Sequence, residues 1–229
     1  MKRISITTLE SYRKMLSEKD EWTTQESFIQ DLKTPFQGNE YTRIGSAFHA
    51  IVEQGESIIE KLPEDGKFRV TAEGWPVTFN EEQVAMALKY RSKLPYALHE
   101  EWIGREFETP AMTIWVHGRV DVLHGLFVRD IKTKYSPVKY DDYANSAQWK
   151  FYLDLTGLDT FYFDLFEFPG YKIDRHGYDV SSLGIRPYGA IECIRYDGMT
   201  QENKQLVCDF TDFIVKHDLT DYLKERENN

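Results

Sequence analysis

Residues 118–132 of this chain read GRVDVLHGLFVRDIK, and this stretch decides the fold class. Apolar and polar residues alternate on both sides of His124-Gly125, which is typical of two β-strands joined by a short turn. A two-residue turn at His124-Gly125 predicts that Asp121 pairs with Val128 across the hairpin. The stretch therefore predicts a β-hairpin in the middle of a sheet.

Three charged residues share one face of the predicted hairpin. Asp130 would lie diagonally across from Asp121, and strand alternation would place Lys132 beside Asp130. Diagonal neighbours are about 7 Å apart at the backbone, so both carboxylates can reach one divalent ion at about 2.1 Å. The alternative is a solvent-exposed hairpin whose charges form surface ion pairs. The other face would pack on the core through Val120, Val122, Phe127 and Ile131.

Apolar spacing along the whole chain predicts an α/β fold with a central mixed sheet flanked by helices. Asn80 and Gln83 form the pattern of a capping box at a helix start, and Gly157 is expected just after a helix end. Helices are expected at 8–32 (two short ones), 44–62, 80–94, 141–156 and 201–217, and strands at 67–79, 101–135, 160–168 and 190–196.

The sequence shows no internal repeat or flexible linker, so we expect one domain over residues 1–229. Within it we expect an N-terminal helical segment at 1–43, a core that contains the charged hairpin at 44–168 and a C-terminal strand and helix at 169–229.

Composition argues against several classes of protein. No apolar run is long enough to cross a bilayer, and the N-terminal stretch lacks the apolar block of a signal peptide, so we expect a cytoplasmic protein without a membrane partner. Cys193 and Cys208 are too few for an iron-sulfur cluster, and no Gly-x-x-x-x-Gly-Lys-[Ser/Thr] loop is present to bind ATP. The net charge of −10 counts against tight, nonspecific, metal-free binding of DNA.

Two further motifs accompany the hairpin. Residues Gly45 to His49 read GSAFH and put a histidine on a predicted helix, while Gln148 and Tyr152 lie one helical turn apart after the hairpin. Taken singly, they fit a packed or solvated histidine and the polar edge of an amphipathic helix. Taken in order, Gly-x-x-x-His, Gly-x-x-Asp, Asp-x-Lys-Thr and Gln-x-x-x-Tyr resemble the RecB-like branch of the PD-(D/E)XK nuclease superfamily over about residues 43–152.

This resemblance implies a restriction-endonuclease-like core and a role for each matching residue. His49, Asp121 and Asp130 would bind one or two Mg²⁺ or Mn²⁺ ions, and Lys132 would orient or activate the attacking water. A nitrogen ligand suits Mn²⁺ better than Mg²⁺. If His49 is a ligand, we expect metal binding to weaken between about pH 6 and 7, before the carboxylates protonate.

The family pattern extends to residues around these. Gln148 and Tyr152 match the motif that supports the site and contacts DNA. Many members carry a glutamate on the preceding strand, and Glu106 is the best placed candidate for this catalytic position, with Glu101 as the alternative. Arg119 would lie opposite Asp130, where it would contact the scissile phosphate or balance the carboxylates.

The implied function is metal-dependent hydrolysis of DNA, by an exonuclease of phage or mobile-element recombination or repair. Its partners would be DNA and a single-strand annealing or recombination protein. One alternative is a noncatalytic nucleic-acid or partner-binding module that keeps the fold, against which the intact Asp121, Asp130 and Lys132 set argues. Another is a structural protein with a solvated acidic hairpin, which only the acidic net charge favours.

Overall fold

A computed structural model describes residues 1–17, 23–34, 36–64 and 66–226. None of the helices in these ranges is both long enough and apolar enough to span a membrane. The elements are, in chain order, β1 (Lys2–Ser5), α1 (Ile6–Met15), α2 (Gln25–Lys33), α3 (Glu40–Gln54), a 3-10 turn (Gly55–Ile58), β2 (Ile59–Lys61), β3 (Lys67–Ala72), β4 (Trp75–Asn80), α4 (Glu81–Ser92), β5 (Leu98–Glu108), β6 (Thr113–His124), β7 (Phe127–Lys134), α5 (Tyr140–Ala144), α6 (Ala147–Thr156), β8 (Thr160–Glu167), α7 (Ile173–His176), β9 (Arg186–Ile194), α8 (Met199–Lys216) and a 3-10 turn (Thr220–Tyr222).

A mixed sheet forms the centre of the fold. Strand β6 pairs antiparallel with β5 on one side. On the other side it pairs in parallel with β1 and antiparallel with β7. Strand β7 then pairs in parallel with β8, which pairs antiparallel with β9. A smaller antiparallel sheet contains β2, β3 and β4. The predicted α/β fold with a central mixed sheet flanked by helices is therefore confirmed.

Strand β6 is shared between two partners on one edge. Its residues Ile114–His117 pair in parallel with β1, and its residues Val122–His124 pair antiparallel with β7. Residues 118–121 lie between these two pairings. The two partner strands diverge at this point, and Asp121 lies at the divergence.

Two apolar clusters cover the sheet. Helices α1, α6 and α8 contribute to one, and helices α3 and α4 with β3 and β4 contribute to the other. The stripe of α3 that enters the second cluster consists of Ile44, Ala47, Phe48, Ala50, Ile51 and Val52. Strand β7 contributes to both clusters, with Val128 in the first and Ile131 in the second. The strand that carries the charged residues is thus anchored from two sides.

The register of the β6–β7 hairpin differs from the prediction. The turn is Gly125-Leu126, Gly125 has a φ of +61°, and Leu123 rather than Asp121 pairs with Val128. A turn that needs positive φ at its first central residue places glycine there, so β6 continues through His124. The hairpin also buries Val128 and leaves Phe127 37% exposed, the reverse of the expected pattern.

Local capping signals explain where several helices begin and end. The capping box of Asn80 and Gln83 is present at the start of α4, and Gly157 ends α6 in the left-handed conformation, as predicted. The helix predicted at 44–62 ends instead at Gln54, because Gly55 has a φ of +71°. The helix predicted at 141–156 is two helices, since Ser146 caps the start of α6.

Candidate metal-binding active site

The imidazole ring of His49 is oriented by strand β7. His49 lies on α3, and its Nε2 atom is 2.9 Å from the carbonyl oxygen of Ile131. A carbonyl oxygen only accepts hydrogen bonds, so Nε2 donates and Nδ1 keeps its lone pair. This Nδ1 atom lies 3.5 Å from Oδ2 of Asp121. The ring is therefore held with an electron-pair donor directed toward a carboxylate.

The close approach of α3 to β7 depends on Gly45. A Cβ atom at position 45 would lie 3.1 Å from Oγ1 of Thr133, tighter than an ordinary van der Waals contact. The glycine lets the two backbones approach until His49 reaches the carbonyl of Ile131. This accounts physically for the spacing of Gly45 and His49 in the sequence.

The carboxylate of Asp121 is held by the same residue of β7. The backbone N–H of Ile131 donates to Oδ2 of Asp121 at 2.7 Å, while its carbonyl accepts from His49. The Asp121 side chain is 15% exposed. The two peptide groups of Ile131 thus position an imidazole and a carboxylate together.

Asp130 is the most buried charged residue of the site, with its side chain 4% exposed. Nε2 of Gln148, on the first turn of α6, donates to Oδ1 of Asp130 at 2.8 Å. Nζ of Lys132 lies 2.7 Å from the other oxygen, Oδ2. Asp130 is therefore held between an amide donor and an ammonium group, and Lys132 remains partly exposed to solvent.

Glu100 on β5 completes the cluster, although the sequence analysis did not single it out. Its neighbours His99 and Glu101 pair with Val122 and Val120, which places Glu100 level with Asp121. One ligand atom from each of His49, Glu100 and Asp121 lies within 4.8 Å of the other two. The place of Glu100 opposite Asp121 follows from the β5–β6 register, which local alternation does not show.

The backbone of Glu100 is unusual, with a φ of +58°. This is the left-handed region that non-glycine residues seldom adopt, and residues held there cluster at functional sites. Nε of Arg119 lies 2.5 Å from Oε2 of Glu100 and holds the side chain in place.

The structure does not bring Glu106 or Glu101 to the cluster. Glu106 is exposed and pairs with Arg226, with Nη1 donating to Oε1 at 3.2 Å. It lies six residues along β5 from Glu100, a separation of roughly 20 Å in an extended strand. Glu101 is also exposed. The glutamate beside the two aspartates is Glu100.

Arg119 lies opposite a residue other than the one expected, whereas Tyr152 supports the backbone of β6 near Asp121. The side chain of Arg119 is directed to Glu100. The backbone of Arg119 pairs with Trp102 of β5, and Arg119 does not lie opposite Asp130 of β7. Tyr152 is buried, and its hydroxyl donates to the carbonyl oxygen of Arg119 at 2.8 Å. That carbonyl belongs to the segment of β6 between its two partner strands. Tyr152 therefore satisfies a backbone acceptor there.

Gly118 makes room for this contact. A Cβ atom at position 118 would lie 2.6 Å from Cδ1 of Ile6 and 2.7 Å from Cε1 of Tyr152. Both neighbours are buried, so neither can move aside easily. The glycine three residues before Asp121 thus allows α1 and α6 to close over the sheet where the site is built.

Comparison with known proteins identifies the family. The model of the PD-(D/E)XK nuclease superfamily matches residues 25–167, well over half of the chain. The chain belongs to the PD-(D/E)XK nuclease superfamily. The matched region contains His49, Glu100, Asp121, Asp130, Lys132, Gln148 and Tyr152.

Two solved structures are similar to this nuclease-superfamily chain. A phage-related exonuclease from Haemophilus somnus 129PT is 14% identical, with 92% of this chain and 95% of that chain covered and a TM-score of 0.46. The protein SSO0001 is 15% identical, with 93% of this chain and 76% of that chain covered and a TM-score of 0.42. A search of curated proteins finds no sequence that matches this chain.

The carboxylates of this PD-(D/E)XK site attract protons unusually strongly. Burial raises the pKa of Glu100 to about 7, and the nearby Asp121 charge acts in the same direction. Burial also raises the pKa of Asp130 to about 6, despite the opposing Lys132 cation. The pKa of Asp121 is raised as well, again mainly by burial. The three carboxylates lie close together in a poorly solvated space, so their ionised forms are disfavoured.

The basic groups shift in opposite directions. Burial lowers the pKa of His49 to about 4, helped by the Lys132 cation, so the imidazole is neutral near pH 7. Burial also acts to lower the pKa of Lys132, but Asp130 and Asp121 outweigh it and the pKa is raised. The expectation that His49 titrates before the carboxylates is therefore reversed, because Glu100 and Asp130 have higher pKa values than the imidazole.

The residues present fit a hard divalent cation. Oε2 of Glu100 and Oδ2 of Asp130 are buried and make no hydrogen bond of good geometry, although each is close to a cation. Nδ1 of His49 and Oδ2 of Asp121 are two electron-pair donors that approach each other. Nε2 of His49 donates to a backbone carbonyl, as the second ring nitrogen of a metal-bound histidine usually does. Oxygen-rich sets with one imidazole suit Mg²⁺ or Mn²⁺.

Proposed function

We propose that this member of the PD-(D/E)XK superfamily is a deoxyribonuclease that depends on Mg²⁺ or Mn²⁺. The observation that carries the proposal is the convergence of the His49, Glu100 and Asp121 ligand atoms within 4.8 Å of one another. Asp130 and Lys132 lie beside that cluster on β7, joined at 2.7 Å. In this proposal Glu100 replaces Glu106 as the glutamate of the site.

His49, Glu100, Asp121 and Asp130 would hold the cation. A divalent ion at such a site offsets the charge that develops on the phosphate oxygens and lowers the pKa of bound water. Ile131 presets both His49 and Asp121 through its backbone, so little reorganisation is needed when the ion binds.

Lys132 is the group that would orient the attacking water or exchange a proton with it. Its ammonium is held by Asp130, whose other oxygen accepts from Gln148, so the position of Nζ is restricted from two sides. Lys132 is partly exposed, which lets Nζ reach a water or a phosphate oxygen outside the core. A lysine so placed can orient the nucleophile or exchange a proton with it.

We extend the proposal to an exonuclease of phage or mobile-element recombination or repair, with a single-strand annealing or recombination protein as partner. Its support is the order of the four sequence motifs, which resembles the RecB-like branch. An assay of end-labelled linear DNA against covalently closed circular DNA tests the exonuclease assignment. An exonuclease degrades the linear form and spares the circle, whereas equal cleavage of both would indicate an endonuclease.

Calorimetric titration with Mn²⁺ tests the metal site itself. The wild-type protein should bind the ion, and Asp121→Asn should lose most of that binding because it removes one ligand charge with little change in volume. The matched control is Asp179→Asn, at an exposed aspartate of the loop before β9. Equal Mn²⁺ binding by wild type and Asp121→Asn would reject the site.

Cleavage of DNA with Mn²⁺ then separates an enzyme from a noncatalytic binding module. We expect the wild type to cut and Asp130→Asn to lose at least about a hundredfold in rate while its melting temperature stays close to wild type. If the wild type binds both Mn²⁺ and DNA yet never cuts, the noncatalytic alternative holds.

A further inference from the structure

A polar cavity of about 570 Å³ lies next to Lys132 and Gln148. Its walls come from α1, the end of β7, α5 and the start of α6. It is separate from the His49, Glu100 and Asp121 cluster but continuous with the Lys132 end of the site. Of the residues with roles described above, Lys132 and Gln148 border this space.

Cations gather in the cavity, against the overall charge of the chain. The whole sequence has 28 Lys and Arg against 38 Asp and Glu. Among the described residues that line the cavity, the balance is reversed, and the basic ones are Arg13, Lys14, Lys132, Lys134 and Lys139. An acidic protein that handles a polyanion needs such a local region, because phosphates are otherwise repelled.

Three of these lysines are unpaired within the part of the chain that the structure describes. Lys14, Lys134 and Lys139 form no ion pair with any residue in the described ranges. Lys134 is only partly exposed, lies 5.7 Å from the centre of the Tyr143 ring, and has a pKa lowered first by burial and then by Lys14 and Lys132. Like charges held together in a half-buried space would be stabilised by an anion.

The acidic residues of the cavity offset this charge only in part, and Asp142 is the cavity carboxylate whose charge acts most on Lys134. Glu10 is already engaged, since it accepts from Arg13 at 2.7 and 3.0 Å and from the backbone N–H of Ala147 at 2.7 Å. Asp141 and Asp142 lie in the first turn of α5, where carboxylates interact favourably with the free N–H groups of a helix.

We infer that this cavity binds phosphate groups of the substrate strand next to the cleaved linkage, through Lys14, Lys134 and Lys139. The inference rests on the proposed function, because it takes the cleaved linkage to lie at Lys132. Lys132 and Lys134 project from the same face of β7, two residues apart, so a strand that reaches the first extends naturally to the second. Contacts of this kind position a nucleic acid without reading its sequence.

Binding of a short fluorescein-labelled DNA tests the inference in an Asp121→Asn background, which prevents cleavage during the titration. Adding Lys14→Ala and Lys139→Ala together should weaken binding by about five- to tenfold, the scale of two lost exposed ion pairs. The slope of log affinity against log salt should fall by about 0.7 for each single-strand contact removed. Both lysines are exposed, so the fold should tolerate the changes.

The matched control is the double substitution Lys89→Ala and Lys93→Ala. These two exposed lysines line a different cavity, between α4 and β9, and their removal changes the net charge by the same amount. The control should leave DNA affinity within about twofold of the background. Asp142→Asn should act in the opposite direction and tighten binding, because it removes a negative charge from the cavity itself.

Two DNA probes distinguish the source of the phosphate. If internal phosphodiesters occupy the cavity, neutral methylphosphonate linkages beside the cut will abolish the effect of the lysine substitutions. If a terminal phosphate occupies it, the effect will disappear with an unphosphorylated end. Either result supports the cavity as a phosphate site.

The inference is overturned if the background protein binds DNA and the Lys14 and Lys139 substitutions change its affinity no more than the control. That result leaves the proposed nuclease function intact. If the lysine substitutions weaken binding but the wild type cuts no DNA with Mg²⁺ or Mn²⁺, the proposed function fails and the phosphate site stands. If the background protein binds no DNA of any form, the inference is overturned, and cleavage by the wild type alone decides the proposed function.

Discussion

Nδ1 of His49 lies 3.5 Å from Oδ2 of Asp121, and the hydrogen bond of Nε2 to the carbonyl oxygen of Ile131 prevents the ring from offering a proton there. Two electron-pair donors are unfavourable neighbours unless a cation lies between them. In the proposed function that cation is the divalent metal ion. Ile131 therefore links the histidine on α3 with the aspartate on β6.

The first prediction concerns the pH dependence of metal binding. Protons compete with the ion for carboxylates, so Mn²⁺ affinity should fall as pH drops through about 7 and about 6, the raised pKa values of Glu100 and Asp130. His49→Ala should weaken affinity by at least about tenfold but keep this pH dependence, because burial lowers the imidazole pKa to about 4. Calorimetry at several pH values measures both, and a flat profile in His49→Ala would show that the imidazole titrates instead.

The second prediction separates the two glutamates of β5. Glu100→Gln should reduce Mn²⁺ affinity by roughly tenfold or more, because it removes a charged oxygen from the ligand cluster. Glu106→Gln is the matched control and should bind Mn²⁺ as the wild type does, since Glu106 is exposed and pairs with Arg226. Equal losses in the two variants would mean that general charge rather than a defined site governs binding.

The third prediction concerns Lys132. At a pH well above the raised pKa of Asp130, Lys132→Ala should keep Mn²⁺ affinity at or above the wild-type level, because the ionised carboxylate then loses only a competing cation. Its single-turnover rate at saturating metal should fall by about 10²- to 10⁴-fold, the usual scale for a general acid or base. Lys132→Arg keeps the charge but cannot give up a proton, so a low rate there indicates proton transfer. Unchanged turnover in Lys132→Ala would contradict any role in the reaction.

The fourth prediction concerns packing behind the site. Gly118→Ala forces a methyl group against Ile6 and Tyr152, and overpacking of this kind costs about 1 to 3 kcal/mol. In a domain of this size each kcal/mol lowers the melting temperature by about 2 to 4 °C. Gly184→Ala is the control, because a Cβ there meets open space, and it should leave the melting temperature unchanged or slightly raised. Equal melting temperatures of wild type and Gly118→Ala would refute the clash.

The sequence by itself determined the features that depend on neighbouring residues. Alternation and glycine placement were enough to predict the β6–β7 hairpin. A side-chain capping box located the start of α4, and a glycine located the end of α6. The choice of turn residues was wrong by one position, because alternation does not show which central residue needs positive φ.

Only the tertiary structure decided which residues meet. Glu100 reaches the cluster through the long β5–β6 register and a left-handed backbone conformation, neither of which appears in local periodicity. Tyr152 has a helical spacing that fits either surface or core, and burial against Gly118 assigns it to the core. Raised acid pKa values likewise come from desolvation, which depends on everything packed around a group. Contacts between distant segments depend on how all the helices and strands pack together, so short-range sequence patterns cannot specify them.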